Sequence, residues 1–188
     1  MEEILAGEKI ISGVYDTDGQ SAKQSRFDAV WREHRPRIWR LVARLSGSVD
    51  SADDLTQEVS VRAYQAYDGF AGRSGAFTWL YRIAVNVVNR DRERRRQIVD
   101  LDAPEVMQLC AAADGPEQAA LKAELSPMVW AALDRLPEEL RTTLILQVYE
   151  QLKYREIAAI LNVPIGTVKS RLHSAMLRLR EELKDYAL

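Results

Sequence analysis

Between Thr167 and Arg178 the chain sets Thr167, Lys169, Ser170, Arg171, His173, Ser174 and Arg178 in a stretch that carries no acid from Pro164 to Arg180. At helical spacing Val168, Leu172, Ala175, Leu179 and Leu183 form one apolar stripe. Thr167, Ser170, Arg171, Ser174 and Arg178 share the opposite face, with Lys169 and His173 flanking it one turn apart. Such a face suits a DNA groove. The planar fork of Arg171 can bridge guanine O6 and N7, Lys169 and Arg178 suit phosphates, and Ser170 and Thr167 can bond to either. A solvated face of an ordinary packed helix has the same composition, so what precedes it decides. There, Tyr154 to Leu161 reads as a short helix and Asn162-Val163-Pro164-Ile165 as a tight turn, which together describe a helix-turn-helix.

A second constellation lies in the other half. TWLYRIAVN, Thr78 to Asn86, is followed by RDRERRR, Arg90 to Arg96. Aromatics such as Trp79 are what a core helix needs, but a helix that also carries an amide and arginines can hold a displaced single strand. Asn86 can donate to and accept from a base edge, and Arg90, Arg94 and Arg95 add phosphate affinity. A third group, Asp53, Asp54, Gln57 and Glu58, falls on one side of the preceding helix, where acids in a first turn also complement the helix dipole.

The elements that must position these groups follow the 3.6-residue period, and strand-type alternation never persists, so the chain reads as all-α. A first helix is expected from Phe27 to Leu45, with Val30, Ile38, Leu41, Val42 and Leu45 inward and Ser46-Gly47-Ser48 ending it. A second starts near Ser51, with Ser51 and Asp54 in capping-box spacing and Ala52, Leu55, Val59, Ala63 and Tyr67 on the core side. A third runs from about Phe77 to Arg96. Residues 97–116 contain Pro104, Gly115 and Pro116, hold an excess of acids and show no period, as expected of a flexible interdomain linker. Helical spacing resumes at Glu117, restarts at Ser126-Pro127 and stops at Pro137, and three shorter helices follow: Glu138 to Tyr149, Tyr154 to Leu161 and Gly166 to Lys184. The expected organisation is two small helical domains, residues 25–96 and 117–188, preceded by a polar segment, residues 1–24, that reads as a mobile arm or weakly held helix.

Composition narrows the function. The net charge is −2, from 26 basic and 28 acidic residues, but its distribution along the chain is basic, then acidic, then basic. No run of about eighteen apolar residues and no signal-peptide pattern is present, which points to the cytoplasm. A single cysteine, Cys110, permits no intramolecular disulfide, and with only His34 and His173 beside it no metal site and no cofactor are expected. The neighbours of Cys110 are Leu109, Ala111 and Ala112, the setting of an inert thiol rather than a redox sensor. No nucleophile and base are suggested, so an enzyme with a small-molecule substrate is not expected.

These residues resemble the extracytoplasmic-function group, group 4, of the sigma-70 family, over roughly Phe27 to Leu183. SADDLTQEVSVRAY (Ser51 to Tyr64) with FTWLYRIAVN (Phe77 to Asn86) is similar to the family's region 2. LPEELRTTLILQVYEQLKYREIAAILNVPIGTVKSRL (Leu136 to Leu172) is similar to its region 4. The resemblance implies that Asp53, Asp54, Gln57 and Glu58 dock on the clamp of the RNA polymerase beta-prime subunit, with region 4 at the beta flap. It implies that Asn86, with Trp79, Arg90, Arg94 and Arg95 around it, captures a base of the −10 promoter element, and that the Lys169-Ser170-Arg171 helix reads the −35 element. It also implies a cognate anti-sigma factor, often membrane-linked. Departures from the pattern are Ser60 where phenylalanine is usual, Ser174 where many members carry arginine, and a first 24 residues that match poorly. Two other readings use the same residues: a sigma mimic that only titrates an anti-sigma factor, which would tolerate loss of Asn86 and Arg171, and a dimeric helix-turn-helix repressor, which would need a palindromic operator.

Overall fold

The computed structural model describes residues 17–70, 75–99 and 127–184, and the segment expected as linker lies mostly outside them, as does Cys110. Among the described residues seven α-helices and one short 3-10 turn form in the order α1 (Thr17–Ser46), α2 (Ala52–Ala66), the 3-10 turn (Tyr67–Gly69), α3 (Ala76–Val99), α4 (Pro127–Asp134), α5 (Glu138–Val148), α6 (Tyr154–Leu161) and α7 (Ile165–Glu182). The fold is all-helical, as the period implied.

Helices α1, α2 and α3 pack against one another, and α5, α6 and α7 do the same, with α4 against α7. The inward stripes are those the spacing marks: Ile38, Leu41, Val42 and Leu45 on α1, Ala52, Leu55, Val59 and Ala63 on α2, Val168, Leu172 and Ala175 on α7. Helix α1 begins at Thr17, ahead of the start expected at Phe27. Its first turns lack an apolar period and are held instead by polar contacts: Lys23 pairs with Asp68 and lies over the Tyr64 ring, 4.8 Å from its centroid. The capping box expected at Ser51 does not form. Ser51 already has helical dihedrals, and its hydroxyl donates to the Ser48 carbonyl at 3.4 Å rather than accepting from α2.

Gly47 terminates α1 with φ +71°, its amide bonded to the Ala43 carbonyl at 3.1 Å. An L-residue there would be strained, and its Cβ would lie 3.2 Å from the Arg141 guanidinium. The turn between α6 and α7 is built by Asn162, which takes the left-handed conformation at φ 54°, and by Pro164, which stands at the N-cap of α7. The Val163 amide then bonds back to the Ala158 carbonyl at 3.1 Å, satisfying a carbonyl that the end of α6 leaves open.

The two helical groups do not stand apart. α3 packs against α6 and α1 against α5, and the buried apolar residues form one cluster running from Phe27 to Ala175 across both groups.

Candidate nucleic-acid interface

On α7 the buried stripe leaves Lys169, Ser170, His173 and Arg178 exposed, while Thr167, Arg171 and Ser174 are partly covered. The Ser170 hydroxyl donates to the Thr167 carbonyl at 3.0 Å. Arg171 does not point with the exposed bases. Its Nη2 donates to Glu139 Oε2 at 2.7 Å, which turns the guanidinium back towards α5 and leaves the side chain 20% exposed.

On α3, Asn86, Arg90, Arg94 and Arg95 are exposed, with Arg95 bonded to Asp91 one turn before it at 2.7 Å. The RDRERRR run is divided by the helical period. Arg92 and Arg96, four residues apart, face the other way and meet Glu138 of α5 at 2.7 and 3.4 Å. Trp79 is partly buried and stacks on Phe70, ring centroids 4.7 Å apart, with Tyr67 beside it. That contact gives Trp79 a packing role at the end of the domain, on the same helix as Asn86 but two turns before it.

The acidic group of α2 is exposed at all four positions, Asp53, Asp54, Gln57 and Glu58. Two of its carboxylates already have partners within the chain: Trp39 Nε1 donates to Asp53 at 2.9 Å, and Arg62 pairs with Glu58 at 2.6 Å. No group of three or more metal-ligating side chains occurs among the described residues. His34 packs edge-on to Phe77, and His173 lies on the exposed face of α7.

A seam of charges that sequence reasoning missed joins the two helical groups. Glu150, just after α5, receives Arg44 Nη1 from α1 at 2.9 Å on one oxygen and the Tyr81 hydroxyl from α3 on the other. Both charged side chains are under a tenth exposed. Arg141 is fully buried, donates to the Arg44 carbonyl at 3.2 Å and meets Asp134 at 2.7 Å. Arg92 reaches the Leu45 and Ser46 carbonyls at the end of α1, each at 3.3 Å, as well as Glu138. Burial, with the neighbouring Arg92 adding to it, lowers the Arg141 guanidinium to about 10. Burial and the Glu150 carboxylate raise the Tyr81 phenol, keeping it neutral and donating.

The docked halves enclose a cleft of about 430 Å³ whose lining includes Arg82, Asn86 and Asn89 from α3, Glu139 from α5, Asn162 from the turn and Arg171 from α7. The residues expected to read two separate DNA elements therefore share one cavity wall.

Residues 30–98 match the family described as Sigma-70 region 2, and residues 127–179 match Sigma-70, region 4. The chain is 36% identical over 171 residues to the ECF RNA polymerase sigma factor SigW of Bacillus subtilis (strain 168), covering 86% of this chain and 91% of that protein. It is 34% identical over 183 residues to the ECF RNA polymerase sigma-E factor of Escherichia coli (strain K12), covering 93% of each. Against the ECF RNA polymerase sigma factor SigE of Mycolicibacterium smegmatis the identity is 39% over 178 residues, 93% of this chain, which spans 66% of that protein's length. Among solved structures it is similar to the sigma factor RpoE of Bartonella quintana in complex with the anti-sigma factor NepR, at 29% identity and a TM-score of 0.61 over 88% of this chain and 98% of that one. CnrH in complex with the cytosolic domain of CnrY has the same fold, at 24% identity and a TM-score of 0.62 over 91% of this chain and 95% of that one.

Proposed function

Because the chain belongs to the sigma-70 family, in its extracytoplasmic-function group, we propose that it is an alternative sigma factor that binds core RNA polymerase, recognises −10 and −35 promoter elements and starts transcription. It is an initiation factor and supplies no catalytic group of its own. It works in the cytoplasm, under a cognate anti-sigma factor that covers one of its binding faces.

The observation that carries this reading is the order of three exposed surfaces, one acidic and two basic, on one helical frame. The acidic edge of α2, at Asp53, Asp54, Gln57 and Glu58, is exposed and complementary to a basic polymerase surface. One helix later, Asn86 with Arg90, Arg94 and Arg95 presents an amide and guanidinia for a displaced −10 strand. In the C-terminal half, α7 presents Lys169, Ser170, His173 and Arg178, with Thr167, Arg171 and Ser174 at the margin, for the major groove of the −35 element. Residues 25–96 are assigned to core and −10 binding, 117–188 to −35 binding, and 97–116 to the tether between them.

As docked, the two halves bring Asn86 and Arg171 to one cleft. Elements about 25 base pairs apart lie about 85 Å apart along B-form DNA at about 3.4 Å per step. Reading both therefore requires the halves to separate at the charged seam. Run-off transcription with purified core polymerase tests the function: initiation that depends on this chain and fails with Asn86→Ala is the expected result. No initiation and no binding to core would overturn it in favour of a mimic or a repressor.

A further inference from the structure

The guanidinium of Arg171, in the second turn of α7, is engaged before any DNA arrives. Its partner Glu139 stands in the first turn of α5, next to Glu138. These neighbouring acids are used differently. The Glu138 side chain is 17% exposed and meets Arg92 across the seam, whereas that of Glu139 is 71% exposed and reaches α7 within its own half. Acids in a first turn complement the helix dipole wherever their carboxylates point, so the dipole does not account for the reach to α7. The backbone beneath Glu139 is fixed: the Leu140 and Arg141 amides bond to the Pro137 carbonyl at 2.9 and 3.0 Å, and the Thr143 hydroxyl bonds to the Glu139 carbonyl at 2.6 Å.

A carboxylate held on an arginine of a DNA-reading face offers that arginine what a backbone phosphate would offer. We propose that Glu139 is a specificity-determining residue of −35 recognition, an internal stand-in for phosphate that withholds Arg171 from the DNA backbone and yields it to a base edge able to take its fork in two bonds. The proposal rests on the sigma-factor reading and deepens its −35 site.

Magnitudes decide which contact wins. An exposed ion pair is worth no more than about fivefold in an equilibrium constant. One phosphate contact in the same solvent is of that order and gains little by displacing the pair. A bidentate arginine–guanine contact discriminates by roughly fivefold to more than a hundredfold, enough to open it. On DNA without the matching base, Arg171 therefore stays on Glu139 and adds nothing to non-specific affinity. Because both residues belong to the C-terminal half, this selection operates after the seam has opened.

The test uses the full chain and two fluorescein-labelled duplexes: the −35 element of a promoter active in the run-off assay, and the same duplex with every G·C pair of the element replaced by A·T. Anisotropy is followed across a salt series. Glu139→Gln, which keeps the shape of the side chain and removes its charge, is expected to bind the −35 duplex about threefold tighter with an unchanged salt slope. On the replaced duplex it also binds more tightly, and there the slope of log affinity against log salt steepens by about 0.9, the signature of one new phosphate contact. Both changes vanish when Arg171→Ala is added. Circular dichroism and the radius of gyration stay those of the parent, since this pair does not cross the seam.

Gains that persist beside Arg171→Ala would reduce Glu139 to a negative charge near DNA and overturn the proposal. Weaker −35 binding by Glu139→Gln would overturn it too, making Glu139 a support for Arg171 rather than its competitor, and so would unchanged binding to both duplexes. In each case a parent chain that initiates at the promoter keeps the sigma reading. A parent that neither initiates nor distinguishes the two duplexes removes that reading itself.

Discussion

The acidic edge of α2 and the charged seam between the two halves use the same residue types in opposite ways. On α2, Asp53, Asp54 and Glu58 are exposed, and their local partners Trp39 and Arg62 lie within reach of solvent. Such contacts are weak and easily exchanged for a partner protein. In the seam, Arg44, Glu150 and Arg141 have side chains withdrawn from water: Glu150 takes both Arg44 and the Tyr81 hydroxyl from the other half, and Arg141 donates across to the Arg44 carbonyl. A buried charge that loses its partner is costly, so these residues fix one way of docking the halves rather than offering a surface. Exposure thus separates charges left available to a partner from charges that register the two halves.

That contrast can be broken at its strongest point first. Glu150→Ala leaves Arg44 and the Tyr81 hydroxyl without their shared acceptor and is expected to lower stability by about 3 kcal/mol, read by urea denaturation, with the halves parting and the radius of gyration rising in small-angle scattering. Unchanged stability and dimensions would mean the seam registers nothing. If Arg171 reads a base as proposed, Arg171→Ala should cost about 1–3 kcal/mol on −35 duplex and relax its sequence preference, and titration against wild-type and substituted duplexes checks it. Asp54→Lys should weaken core polymerase binding about tenfold, or about 1.4 kcal/mol, and leave −35 affinity intact. An equal loss of both would place Asp54 in the frame rather than on the recruiting edge. Smallest is Arg95→Ala, which breaks an exposed one-turn pair with Asp91 and should change stability by about 0.5 kcal/mol or less in thermal melts, while still lowering strand affinity through the lost cation.

How far the sequence reveals these two kinds of charge follows from their range. The α2 edge and the α7 stripe are periodic within one helix, so spacing alone places Leu55 and Val168 inward and Asp54 and Lys169 outward, as the structure has them. Helix α6 begins and ends where the sequence marks it, because the Asn162 turn is a local signal. The seam is not local. Arg44 meets Glu150 across 106 residues and Tyr81 meets it across 69, and no period connects them. Arg141 sits in a run of apolar and hydroxyl residues that would suit a surface turn of α5 equally well, and only docking against the end of α1 buries it. RDRERRR was legible as a basic patch, yet which of its arginines face outward depends on where α5 lies. Arg171 is a similar case: its type and position mark it for a base contact, but its ion pair with Glu139 is set by the packing of α5 on α7.

The seam's chemistry also bears on what happens after it opens. Two faces joined by aliphatic side chains alone would, once apart, leave an adhesive surface on each half, prone to capture by any other unfolded or half-assembled chain. Here the apolar cluster shared by the two halves is bordered by Arg44, Arg92, Arg141, Glu138 and Glu150, so on opening these charges would take up water around the apolar residues exposed with them. The ion pairs that make docking specific would thereby also limit how much bare apolar surface each half offers once the seam is open.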